Sequence, residues 1–301
     1  MTTRRIVTIF GATGQQGSSV VDALLSEGIF VPRAVTRSAG STAAKALAAR
    51  GCEVVEADAC DKEAVRRAVD GAECVFGVTV PFTSAPELEQ GLNMVDASKE
   101  AGVKFFVFSS LVSAAEVSNG KYTKCVHYED KADIEKHLKA SGISNAILMT
   151  GFFLENLVTI MPLKQTETGY HIEAPAVINK TNLMSWIGKE LGSAVAALMR
   201  NYTDKLEEIN GQNFILGGSR PTLEEVAAEI GKALGKPTTI KQCARLGFPA
   251  LDEMFDFVAE FDVYAGKAVP DPRLLAYGAQ VGTVAEFAEA VIKPYLEKQT
   301  Q

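Results

Sequence analysis

Short β-branched runs alternate with amphipathic helical stretches through the first half of the chain, and this alternation constrains the fold more than any other feature. Arg5–Phe10, Pro32–Thr36, Glu53–Ala57, Cys74–Val80, Lys104–Ser109 and Asn145–Met149 are predicted strands. Their apolar content is nearly continuous, as in a parallel sheet covered on both faces. Helices are predicted between them at Ser18–Glu27, Thr42–Arg50, Lys62–Val69, Glu87–Glu100 and His127–Ala140. Gly28, Gly51, Gly71, Gly102 and Gly142 stand where these helices should stop. Strand–helix–strand units repeated this way use right-handed crossovers, so the expected fold is α/β, a doubly wound parallel sheet.

After Met149 the rhythm breaks. Gly151–Leu163 is aromatic and apolar, and Gly169–Asn179 reads as irregular or extended. Helices are predicted at Ile187–Arg200, Leu223–Leu234, Asp252–Ala265 and Val284–Leu296, with a strand at Asn213–Leu216. Pro221 and Gly235 bracket one of these helices with the usual entry and exit residues. The expected division is 1–150, with a smaller α+β region, 151–301, capping the ligand edge of the sheet and partly interleaved with it.

Composition narrows the ligands. A net charge of −7 lacks the broad positive field of a nucleic-acid binder, so a phosphate must be held by a local device. No apolar run is long enough to span a bilayer. Arg4 and Arg5 precede only a short apolar run, which reads as a strand rather than a signal peptide. The five cysteines are scattered without a C-x-x-C pair, and there are three histidines, so no metal site is expected. Such thiols suit a reducing compartment, the cytoplasm or nucleus. The chain is expected as a monomer or homodimer, without direct nucleic-acid or membrane partners.

Gly11-Ala12-Thr13-Gly14-Gln15-Gln16-Gly17 lies between the first strand and the first helix. Glycines there permit a tight turn, close approach of backbone N–H groups to a pyrophosphate, and close helix–strand packing. The helix N-terminus adds free donors and a favourable dipole. At the end of the second strand the sequence reads Thr36-Arg37-Ser38, with no carboxylate from Val31 to Ala43. Arginine there pairs with a ribose 2′-phosphate, which selects NADP(H) over NAD(H). A solvated surface arginine is the competing interpretation. Asp58 is a candidate for the adenine amino group or for a helix cap, and Thr79 for the edge where a ribose passes.

At about 100° per residue, His127, Lys131, Ile134 and Leu138 share an arc of roughly 60°. Ile134 and Leu138 mark that face as buried, so Lys131 and His127 point towards the ligand edge. An inward ammonium needs oxygen partners, and ribose hydroxyls would supply them; the alternative is a snorkelling lysine.

Taken together, the Gly11–Gly17 loop, Arg37, the His127-x-x-x-Lys131 pair and Gly151-Phe152-Phe153-Leu154-Glu155-Asn156 resemble the NmrA-like branch of atypical short-chain dehydrogenases/reductases. The similarity continues through Met184-Ser185-Trp186-Ile187 and the late helices, and is firmest before residue 190. It implies a Rossmann domain that binds NADP(H), with a cleft formed by the smaller region. By this resemblance Lys131 matches the lysine of the superfamily's Tyr-x-x-x-Lys pair, and Phe152, Phe153 and Asn156 lie beside the nicotinamide. The tyrosine position holds His127 here, and Tyr128 is displaced by about 100°. The family includes both NADPH-dependent reductases and cofactor-sensing regulators of transcription factors.

Three functions follow. The first is an NADPH-dependent reductase of a small or medium hydrophobic carbonyl or enone. Lys131 would orient the ribose and polarise the substrate oxygen, with His127 held neutral by the adjacent cation. Ser109 or Ser110 would position that oxygen, or satisfy backbone at the strand end, and Tyr128 is a reserve donor. The second is a redox sensor whose NADP(H) occupancy changes affinity for a regulatory protein partner. The third is non-redox chemistry in a cleft lined by Phe152, Phe153, Phe248, Phe255, Phe257 and Phe261, though Phe257 and Phe261 also suit a core. No G-x-S-x-G elbow or Walker lysine points elsewhere.

Overall fold

The computed structural model describes residues 4–175 and 180–299. Its first half is β1 (Ile6–Ile9), α1 (Gln15–Glu27), β2 (Val31–Thr36), α2 (Thr42–Ala49), β3 (Glu53–Glu56), α3 (Lys62–Val69), β4 (Cys74–Gly77) and α4 (Glu87–Glu100), continuing with β5 (Phe105–Ser110), α5 (Ala114–Val117), α6 (Val126–Ser141) and β6 (Ser144–Thr150). Ser41 and Asp61 cap α2 and α3 through their side-chain oxygens, which explains why both helices start where predicted. The five predicted helix-stop glycines all take positive φ.

Then come β7 (Phe152–Phe153), a 3-10 turn over Leu154–Val158, β8 (Lys164–Gln165), β9 (Tyr170–Ala174), β10 (Met184–Ser185), α7 (Ile187–Asn201), α8 (Leu206–Ile209) and β11 (Gln212–Leu216). The last elements are α9 (Leu223–Leu234), β12 (Thr238–Gln242), α10 (Pro249–Glu260), α11 (Pro272–Ala276), α12 (Val284–Phe287), a π-type turn over Ala288–Ile292 and α13 (Lys293–Gln299).

Seven strands form one sheet in the order β11-β6-β5-β4-β1-β2-β3, and every neighbouring pair is parallel. The order reverses direction at β1, the switch point where a doubly wound sheet opens a crevice at its carboxyl edge. Helices α1 and α7 cover one face around Val20, Leu24, Leu191 and Val195. On the other face α3, α4 and α6 bury Val65, Met94, Ile134 and Leu138.

Several boundaries differ from expectation for local reasons. The strand predicted to Val80 ends at Gly77, because Val80 is tied to Gln90 instead of to a neighbouring strand. The helix predicted from Asp252 starts at Pro249 and ends at Glu260; Asp252 turns back to accept from Leu246 and Gly247 N–H at 2.8 and 3.0 Å. The single helix predicted over Val284–Leu296 contains the π-type turn just before Pro294, which lacks an N–H and crowds the preceding turn. Of the stretch predicted irregular or extended at Gly169–Asn179, β9 is extended, and residues 176–179 lie outside the described residues.

The later chain also enters the main sheet: α7 crosses α1, and β11 pairs with β6 from Gln212↔Ala146 to Leu216↔Thr150. A small sheet, β12-β9-β8, packs with α9, α10 and α12 around Ile172, Val226, Ile230 and Phe287.

Candidate functional site

The glycine loop has the geometry of an anion cradle. Gly11 has φ +64°, and Gly14 N–H donates to its carbonyl at 2.9 Å. A Cβ at Gly17 would stand 2.2 Å from the Gly11 carbonyl oxygen, so only glycine lets α1 begin this close to β1. Gly14 caps α1 without any side-chain hydrogen bond, which leaves the first-turn N–H groups open to a ligand. Thr13 and Gln15 are exposed beside it. Gln16 Oε1 is buried and has no hydrogen-bond partner. These features fit the pyrophosphate of a dinucleotide.

Arg37 follows the last residue of β2, is exposed, and among the described residues makes no side-chain hydrogen bond or ion pair. Its guanidinium is therefore available to a phosphate. The sheet adds a group that the local sequence did not reveal: Glu56, opposite Thr36 in register, accepts from Ala39 N–H at 2.8 Å. A carboxylate thus borders the loop although none lies within residues 31–43. Asp58 is exposed and accepts from Cys60 N–H at 2.9 Å, while the cap of α3 is Asp61.

On α6, His127, Lys131, Ile134 and Leu138 are all buried, the shared face expected from their spacing. Lys131 is only 7% exposed, which excludes snorkelling. Its oxygen partners are already supplied by the chain: Nζ pairs with the Glu87 carboxylate and donates to Thr79 Oγ1 at 3.3 Å. The Thr79 hydroxyl in turn donates to Glu87 Oε1 at 2.7 Å. Glu87 is 6% exposed. It was missed because, on the sequence, it is simply an acidic residue in the first turn of a helix, where the dipole favours one.

Burial, and secondarily the Lys131 charge, pushes the His127 imidazole down to about 4, so it is neutral near pH 7. Its Nδ1 is buried without a partner. The Phe82 ring lies 4.9 Å from the His127 ring and 4.9 Å from that of Phe248. Phe82 takes φ +59°, a left-handed conformation that is costly for a bulky residue. Val80, Phe82, Val126, Leu246 and Phe248 are all exposed apolar side chains in these same segments.

The other candidates are placed differently. Tyr128 packs with Tyr122, Cys125 and Phe257, and burial raises its phenol well above the usual range. Ser110 Oγ faces α6, donating to Glu135 Oε2 at 3.0 Å. Strand alternation puts Ser109 on the opposite face with Phe105 and Val107, and among the described residues no hydrogen bond joins it to Lys131, whose Nζ bonds go to Thr79 and Glu87. Phe152 and Phe153 form β7 beside β10, and Gly151 is required there because a Cβ would meet the Leu183 carbonyl oxygen at 2.0 Å. The Asn156 carbonyl accepts from Met161 N–H at 2.8 Å. Phe255 and Phe257 are core residues of separate clusters. Among the described residues no group of three or more His, Cys, Asp or Glu is arranged for a metal. No helix among them is long and apolar enough to cross a membrane.

A doubly wound parallel sheet whose first helix begins at the switch point defines a Rossmann-type α/β protein. The model of the NmrA-like family matches residues 3–268, and the chain belongs to that family. An NmrA-like family domain-containing oxidoreductase of Aspergillus hancockii is 34% identical over 174 residues, which are 54% of this chain and 51% of the relative. The matched stretch thus spans about half of that relative's length. The solved structure of NmrA, a negative transcriptional regulator in complex with NADP, has a TM-score of 0.82 at 17% identity, covering 99% of this chain and 98% of that one. An NADPH-dependent quinone oxidoreductase of Escherichia coli complexed with NADPH has a TM-score of 0.72 at 24% identity, covering 95% and 99%.

Proposed function

We propose that this chain binds NADP(H) and is an NADPH-dependent reductase of a small or medium hydrophobic carbonyl or enone. The observation that carries this is a buried lysine at the carboxyl edge of the sheet, close to an exposed aromatic shelf. The open α1 terminus and unpaired Arg37 support a phosphorylated dinucleotide, as do the NADP(H) complexes of the structural neighbours. The oxidoreductase relatives support hydride chemistry.

When bound, NADPH supplies the hydride. The protein's part is to bind, orient and polarise. The first turn of α1 takes the pyrophosphate and Arg37 the 2′-phosphate. Lys131 donates to a ribose hydroxyl or to the substrate oxygen as negative charge develops there. His127 cannot serve as an imidazolium donor at neutral pH, because it is uncharged. Phe82 and Phe248 offer ring faces to an apolar substrate. The smaller region supplies the cap over this edge, a division we place after residue 150 with α7, β11 and α11 returned to the sheet.

The test is NADPH oxidation against a panel of hydrophobic carbonyls, enones and quinones. Lys131→Met should abolish turnover with the active substrate; unchanged turnover would remove the lysine from the chemistry.

A second function, a redox sensor, is favoured by one observation: the position of the superfamily's tyrosine holds a neutral histidine with an unpartnered Nδ1. In that case NADP(H) binds without turnover and changes affinity for a protein partner. Equal partner affinity with and without cofactor would exclude it.

A further inference from the structure

We propose that Glu87 is a positioning residue which, with the Thr79 hydroxyl, fixes the Lys131 ammonium for its role at the reacting oxygen. This rests on the reductase function above and extends it to a residue outside the cofactor loop and the His-x-x-x-Lys pair.

Three separate elements bring these side chains together. Thr79 follows β4, Glu87 lies in the first turn of α4, and Lys131 is on α6. All three are buried. A lysine side chain is long and rotatable, so burial alone does not aim it. Here Thr79 Oγ1 and Glu87 Oε1 each accept from Nζ, and the Thr79 hydroxyl closes the triangle by donating to the same carboxylate oxygen. An ammonium has three donors. Two are thus committed to the protein, and the third is left in a defined direction for a ligand oxygen.

The support behind Glu87 is also fixed. Gln90, one turn further along α4, accepts from Val80 N–H at 3.0 Å and donates to the carbonyls of Val80 and Ala85 at 3.1 Å. This ties the β4–α4 loop to the helix that carries the carboxylate. For stability alone, a buried ion pair has little advantage over apolar side chains of similar volume. At the ligand edge the pair has a use that apolar side chains lack: it holds a cation that is desolvated and already aimed.

The experiment uses the full chain and compares Glu87→Gln, Thr79→Val, Thr79→Ser and Lys131→Met. Glu87→Gln is expected to lower kcat at least tenfold at saturating NADPH, with KM for substrate and Kd for NADPH within threefold of wild type. Thr79→Val is expected to lower kcat about fivefold, and Thr79→Ser, which keeps the hydroxyl, to restore it. The fluorescence lifetime of bound NADPH is read in parallel, without substrate. Lys131→Met defines the change caused by losing the ammonium; Glu87→Gln and Thr79→Val should shift in the same direction, and Thr79→Ser should not.

A lower melting temperature with unchanged kcat and lifetime would overturn the proposal, leaving the pair merely structural. Tighter NADPH binding with unchanged kcat would also overturn it, since Glu87 would then be a competitor that the cofactor displaces. If Glu87→Gln does not fold, the contrast between Thr79→Val and Thr79→Ser decides. Absence of any turnover by the wild-type protein would defeat the reductase function, while the lifetimes would still test the positioning of Lys131.

Discussion

Gly192 and Ser19 interlock where α7 crosses α1. Gly192 N–H donates to Ser19 Oγ at 2.9 Å, and the same hydroxyl donates to the Ile187 carbonyl at 2.8 Å. A Cβ at residue 192 would lie 2.0 Å from the Ser19 carbonyl oxygen. The second half of the chain is thereby locked onto the helix that begins at the glycine loop. Gly192→Ala should destabilise the protein by about 3 kcal/mol, at the upper end for overpacking because backbone must move. The urea midpoint, measured at constant m, checks this.

This crossing marks the limit of what the sequence made legible. The first six strands were visible as short, nearly continuous apolar runs, and the five main helices because each is a periodic run followed by a glycine that takes positive φ. The face of α6 was legible too, since Lys131 and Ile134 obey a simple helical angle. What Lys131 meets was not: Thr79 and Glu87 are 52 and 44 residues away in sequence, and only the parallel sheet brings them together. Glu56 escaped for the same reason, reaching the Arg37 loop across a strand pair. The helix and strand within residues 187–216 and a partial interleaving with the sheet were legible, but their partners α1 and β6 were not, because a strand at a sheet edge looks the same whichever sheet it joins.

Arg37 and Glu56 should act in opposite directions on cofactor choice. Removing a charge-assisted contact to the 2′-phosphate costs about 1.5–3 kcal/mol, so Arg37→Ala should weaken NADPH binding roughly 10- to 100-fold and leave NADH nearly unchanged. Glu56→Gln removes a negative charge from the border of the loop and should tighten NADPH binding by severalfold, with less effect at high salt. Calorimetric titration with both dinucleotides tests the pair. Equal losses for NADPH and NADH in Arg37→Ala would exclude the assignment of the phosphate to this loop.

Phe82 makes a separate prediction about substrate. Its ring bridges His127 and Phe248 from a left-handed backbone position. Phe82→Ala removes the ring without relieving the unfavourable φ. If the shelf holds an apolar substrate, KM should rise about tenfold for flat aromatic substrates and much less for small aliphatic ones, a difference of roughly 1.4 kcal/mol. Steady-state kinetics on matched pairs of substrates would show it. Phe82→Gly should give the same kinetic result with better stability, because glycine accepts φ +59° without strain.

His127 and Glu190 give stability contributions of opposite pH dependence. His127 falls from 6.5 to about 4 in the folded protein, so between these values the unfolded chain binds a proton that the folded one does not. Its contribution is complete above pH 6.5 and is lost as the pH falls towards 4. Glu190, fully buried, accepts from Trp186 and Gly282 N–H at 3.0 Å each, yet burial still raises it from 4.5 to about 7. Its contribution is complete below pH 4.5 and is lost as the pH rises through 7. At 1.36 kcal/mol per unit, each is on the order of 3 kcal/mol, and across pH 4.5–6.5 the two slopes largely cancel. Glu190→Gln should therefore make stability rise with pH in that window, while His127→Phe should make it fall. Urea midpoints at half-unit pH steps separate these outcomes. Parallel curves for wild type and both variants would mean that neither group titrates differently on folding, and with that the neutral His127 assigned to the site would be lost.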